Sequence, residues 1–143
     1  MDETAVLNDL LLAEYSSIAP RLIESTTFVP PAWARADIVV RRIAAASREN
    51  CAALTELILD LGGTPAPRRY RAHTADLHYL DMGSMVPKLE EDQRAIVETY
   101  SRAVSALAHL PRVSSMLLRM LDSHQRDLKA LEEVIVRPAP KAA

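Results

Sequence analysis

Four long stretches of this chain place apolar residues in alternating steps of three and four. The first carries Leu7, Leu11, Glu14, Ile18, Arg21 and Ser25. The second carries Val39, Ile43, Ser47, Asn50, Leu54, Leu57 and Leu61. The third carries Leu89, Gln93, Ile96, Tyr100, Ala103 and Leu107, and the fourth Val113, Leu117, Leu121, His124, Leu128, Leu131 and Ile135. That spacing follows the turn of an α-helix, so each stretch reads as a helix with one apolar stripe. A stripe has to be covered, and four such helices cover one another. The expected fold is all-α, an up-down four-helix bundle.

Proline and glycine set the boundaries. The first helix is expected over residues 4–26, capped by Asp2, Glu3 and Thr4 and kinked near Ser16 and Ser17 by Pro20. The second is expected to start at Pro30-Pro31 and to end at Leu61, before Gly62-Gly63. The connection over residues 64–86 is too long for a tight helical hairpin, with room for a helical turn at residues 74–81. The third helix is expected over residues 87–108 and the fourth over residues 111–136. Residues 137–143 read as a tail, so residues 1–143 form a single domain with its core in residues 4–136. Two short connections and one long one fit a bundle with a single crossover between its second and third helices.

Charge and composition exclude several classes. A net charge of -2 gives no basic field for nucleic acid. Arg68, Arg69 and Arg71 form only a short cluster in the long connection. No apolar run approaches the ~20 residues of a membrane span, so no membrane role is expected. The single cysteine, Cys51, excludes an internal disulfide and suits a reducing, cytoplasmic setting. With no strong base beside it other than Arg48, it reads as an inert thiol. His73, His78 and His109 have no ligand partner in sequence and read as surface or packing residues. Arg21 is expected to reach out, or to pair, near the end of the bundle.

The polar residues on the stripes are the functional candidates. A carboxylate on a core stripe is costly unless something compensates it. Glu14, Ser47, Asn50, Gln93, Tyr100 and His124 are expected to meet near mid-bundle. The layer can be a hydrogen-bond network with Glu14 and His124 as its charged pair. It can be a single metal site built on Glu14 and His124, or a small-ligand site in a residual cavity.

Leu7-Asn8, Leu10-Leu11 and Glu14 resemble the first-helix signature of ferritin-like proteins, bacterioferritins and rubrerythrins among them. The run Leu57, Ile58, Leu59, Asp60, Leu61, Gly62, Gly63, Thr64, Pro65 is similar to the end of their second helix. The spacing of His124, Leu128 and Ile135 is similar to that around their fourth-helix histidine. The resemblance implies a di-iron site made of one Glu on each of two helices and a Glu-x-x-His on each of the other two. Carried over by position, the first-helix Glu is Glu14. The second-helix pair falls on Ser47 and Asn50, the third-helix Glu on Gln93, and the fourth-helix pair on Leu121 and His124. A one-turn shift on the second helix offers Glu49 but puts Ala52 at the histidine. A slip on the third would bring in Glu90, Glu91, Asp92 or Glu98.

Three anionic positions have thus become Ser, Gln and Leu, a severe loss for hard cations. The expectation is a non-catalytic ferritin-like protein with a structural or interaction role, no cofactor, and a homodimeric state. Leu12, Val40 and Ile58 are expected to lie in the self-association surface. The alternative is a metal-binding member, with iron or manganese, active in iron oxidation, storage or oxidative-stress defence.

Overall fold

The computed structural model describes residues 2–24, 29–66 and 82–135. Helix α1 spans Glu3–Tyr15. Asp2 caps it, its Oδ1 accepting from the Thr4 amide at 3.0 Å and the Thr4 hydroxyl at 2.7 Å. The expected kink is a full break. Ser16 closes α1, and α2, Ile18–Glu24, begins again after Ser17. Pro20 explains the break, because its ring crowds the turn before it and it has no N–H to donate. After the break Pro20 sits in the first turn of α2, where proline is tolerated.

A single 3-10 turn at Pro31–Trp33 leads into α3, Ala34–Asp60. At its far end Gly62 takes φ 77°, its amide donating to Leu59 O and that of Gly63 to Ile58 O, each at 2.9 Å. This paired reverse bonding satisfies carbonyls the helix leaves open. The Asn8 amide then holds the outgoing chain, donating to Thr64 O at 3.1 Å and accepting from the Ala66 amide at 2.8 Å.

Helix α4 spans Met82–Ala106, so it starts five residues before the expected Pro87. Burial of Met85 and Val86 offsets the hydrogen bond that Pro87 cannot make. Gly83 lets the Trp33 indole close over this first turn, since a Cβ there would lie 3.1 Å from Trp33 Nε1. Helix α5 spans Pro111–Val134 and begins, as expected, with proline at its first position.

The core falls into two apolar clusters. One holds Leu7, Leu11, Leu54, Ile58, Tyr100 and Leu117; the other holds Leu22, Val40, Ile43, Val86, Leu89 and Leu131. Helices α3 and α4 both run from the second cluster to the first, while α1 followed by α2, and α5, run from the first to the second. Helices α3 and α4 are therefore parallel, and the end of α3 and the start of α4 lie at opposite ends of the bundle. Val40 and Ile58 have no exposed surface, so they pack inside the chain and form no self-association face. Leu12 is half-buried. The exposed large apolar residues include Ile38, Leu59 and Leu118. Among the described residues no helix is long and apolar enough to cross a membrane. The expected turn at residues 74–81, His73, His78 and the Arg68, Arg69, Arg71 cluster lie outside the described residues.

Candidate functional site

The two apolar clusters are separated by a polar layer. Glu14 closes the core stripe of α1 one turn before the break. Ser47 and Asn50 lie on α3 between Ala44 and Leu54, and Gln93 on α4 between Leu89 and Ile96. His124 follows Leu121 on α5 by three residues. The periodicity that buries the apolar neighbours therefore buries these side chains too: Glu14, Ser47, Gln93 and His124 are each at most 2% exposed. Asn50 is half-buried.

His124 is the hub. Its Nδ1 lies 3.0 Å from Gln93 Nε2, which also donates to the His124 main-chain oxygen at 3.1 Å. A carbonyl oxygen only accepts, so the Gln93 amide must present its nitrogen at this position. Nδ1 then accepts as well, and the ring proton sits on Nε2. Nε2 faces Glu14 Oε1 at 2.9 Å and the Asn50 amide at 3.2 Å. The Glu14 contact is close, yet neither carboxylate oxygen receives an aligned hydrogen bond. The Tyr100 ring lies against the imidazole, centroids 5.0 Å apart, and its buried hydroxyl has no hydrogen-bond partner among the described residues. Ser47 does not reach the ring; its Oγ donates to the Glu14 main-chain oxygen at 3.0 Å. The other five residues expected in the layer thus lie around the His124 imidazole, directly or through Glu14.

Electrostatics extend the layer. Asp92, beside Gln93, accepts from the Ile18 amide at 3.2 Å and so holds the start of α2. Burial pushes its carboxyl up to about 6; the Glu14 charge adds to this, while the Ile18 bond and the Arg21 charge oppose it. Burial and then the Glu14 charge push the Cys51 thiol up to about 12, so it stays neutral. The same two causes, with Cys51, raise the Tyr100 phenol.

Of the two forms expected for Arg21, it does not reach out but lies buried, 7% exposed, with an interaction of its own. One expectation about a single side chain changes. On α5 the buried face after His124 runs through Asp127 rather than Leu128, which is half-buried. Asp127 is compensated by Arg42 on α3, Nε to Oδ1 2.8 Å. Sequence reasoning missed Asp127 as a buried group, and its one signal was the step of three after His124. Gln93 has no exposed surface, while Glu98 points outward and pairs with Arg102 at 2.9 Å. His109 is a surface residue, paired with Glu3 at 3.1 Å.

The donors at the carried-over positions do not fit a di-iron centre. They amount to one carboxylate, one imidazole already engaged at Nδ1, two amides, a hydroxyl and Leu121. Among the described residues no group of three His, Cys, Asp or Glu side chains is placed to hold a metal ion.

No protein-family model and no curated protein matches the chain. Among solved structures it is similar to a ferritin-like, diiron-carboxylate protein from Bacillus anthracis str. Ames. The identity is 19%, the match covers 94% of this chain and 95% of that one, and the TM-score is 0.74. At that identity the likeness is one of fold, and the chain has the ferritin-like, all-α fold.

Proposed function

We propose that this chain is a non-catalytic ferritin-like bundle protein with a structural or interaction role, in which a buried polar network stands in place of the di-iron site. The observation that carries the reading is the Gln93 bridge. Its nitrogen occupies the Nδ1 lone pair of His124, which leaves the ring proton on Nε2, the atom that faces Glu14, and α4 offers no carboxylate at that position. Such a network sets helix register at some cost in stability. A cytoplasmic homodimer is the state this reading favours, with exposed Ile38, Leu59 and Leu118 as apolar contact residues.

Elemental analysis of protein purified without chelator, with Glu14→Ala and His124→Ala alongside, tests the reading. The expected result is no stoichiometric iron or manganese in any of the three, and earlier melting of both variants. Two ions per chain in the wild type, lost in both variants, would overturn it.

One observation favours the alternative. The two Glu14 oxygens are buried without an aligned donor, and Oε1 lies 2.9 Å from Nε2, as two ligands of one ion would. In that reading Glu14 and His124 bind iron or manganese, and the protein works in iron oxidation, storage or oxidative-stress defence. The same elemental analysis separates the two.

A further inference from the structure

Helix α3 carries a second stripe, on the side away from the core. Ile38, Arg41, Ala45, Arg48, Ala52 and Leu59 recur in helical steps, and all six are exposed. The two large apolar side chains stand at its ends, Ile38 65% and Leu59 57% exposed. Alanines fill the stretch between them, so the middle of this face has little bulk.

The charges of α3 are sorted along its length. Residues 34–48 carry Arg35, Arg41, Arg42 and Arg48 against Asp37 alone, while residues 49–60 carry Glu49, Glu56 and Asp60 and no basic residue. That order opposes the helix's own dipole, which favours acids at the start and bases at the end. Helix stability therefore does not account for it. Arg42 is taken by Asp127 on α5. Arg41 pairs with Asp37 through Nε at 3.0 Å, and its two terminal nitrogens still have protons to donate. Arg48, Glu49 and Glu56 make no ion pair or hydrogen bond among the described residues.

The two halves complement each other end for end, and an antiparallel copy brings them together. With Ile38 of one copy level with Leu59 of the other, Arg41 comes level with Glu56 and Ala45 with Ala52. A two-fold axis then makes each match twice. Alanine on both sides lets the helices approach to ~8 Å, the close end of helix packing.

We propose that the outer face of α3 is where two copies of this chain pair, antiparallel, with the basic half of each α3 over the acidic half of the other. The proposal rests on the homodimer of the reading above and assigns its face. Of the three apolar residues named there it uses Ile38 and Leu59, and it leaves Leu118 on α5 outside the contact.

Sedimentation equilibrium on the full chain measures the dimer constant. Arg41→Glu and Glu56→Arg should each raise Kd about tenfold or more, since each sets two like-charge contacts in the dimer. The double substitution should bring Kd back to within about threefold of wild type. Residues 41 and 56 lie ~22 Å apart along one helix and do not meet within a chain, so the recovery reports a contact between copies. Leu59→Ser should weaken the dimer, and Leu118→Ser should leave it as it is. A dimer that the α3 substitutions do not weaken, that the double substitution does not restore, or that Leu118→Ser weakens instead would overturn the α3 face and leave the homodimer standing. A monomer at every concentration would overturn both.

Discussion

Gln93 Nε2 lies 3.0 Å from His124 Nδ1 and 3.1 Å from the His124 main-chain oxygen. One amide on α4 therefore fixes both the tautomer of the imidazole and the seating of α4 on α5. A carboxylate of the same shape would face two acceptors. We expect Gln93→Glu to destabilise the fold by about 2–4 kcal/mol at pH 8. Part of that loss should return near pH 5, where the introduced buried carboxyl can take a proton and donate as the amide does. Urea denaturation at the two pH values measures both. A cost at pH 8 below that range, with no dependence on pH, would mean that the amide does not bridge the ring and the carbonyl.

Tyr100 makes a different test. Its hydroxyl is buried and has no partner among the described residues, so it carries a desolvation cost with no bond there to offset it. Tyr100→Phe should keep the ring against His124 and leave stability unchanged or raise it by up to ~1 kcal/mol. A clear loss of stability would show that the hydroxyl donates to something in the layer, where, after burial, the Glu14 charge does most to raise the phenol.

Asp92 supplies the pH dependence. Its carboxyl rises from 3.8 to about 6 on folding, chiefly through burial. The folded state then holds the proton more tightly than the unfolded chain does. The favourable contribution is complete below the unfolded value and is lost as pH rises through about 6, a change of up to about 3 kcal/mol. Asp92→Asn removes the charge and keeps an oxygen to accept from the Ile18 amide. Wild type and variant should match near pH 4 and diverge up to pH 7, where the variant is the more stable. Parallel stability curves across that range would show that Asp92 is not the group responsible.

The bundle was legible because its determinants are periodic. The stripes through Leu54 and Leu57, or Leu117 and Leu121, mark the buried face without knowledge of their partners. The polar layer was legible for the same reason: Glu14, Gln93 and His124 interrupt those stripes in step. What was hidden depends on partners far along the chain. Asp127 can be buried only because Arg42, 85 positions away, meets it. The break after Tyr15 is stabilised by Asp92, 74 positions beyond Ile18. The early start of α4 needs Trp33 to lie over Gly83, a contact that no local pattern encodes. Val40 and Ile58 looked surplus to a single stripe, yet a helix touching two neighbours buries a wider face than one stripe covers.

The α3 end gives the last prediction, because its two glycines are needed for different reasons. Gly62 has φ 77° with open space around its Cβ position, so Gly62→Ala meets only the left-handed backbone penalty of about 1 kcal/mol. Gly63 lacks a positive φ but sits against α1, and a Cβ there would lie 2.5 Å from Thr4 Cγ2 and 3.2 Å from Ile58 Cγ2. Thr4 cannot turn aside freely, since its hydroxyl bonds the capping Asp2 at 2.7 Å. Gly63→Ala should therefore cost more than Gly62→Ala, about 1–3 kcal/mol from overpacking alone. Adding Thr4→Ser, which deletes Cγ2 and keeps the hydroxyl, should recover part of the Gly63→Ala loss and none of the Gly62→Ala loss. Thermal denaturation of the two glycine variants, with and without Thr4→Ser, measures all four. Equal recovery in both backgrounds would mean that α1 does not press on Gly63 as described.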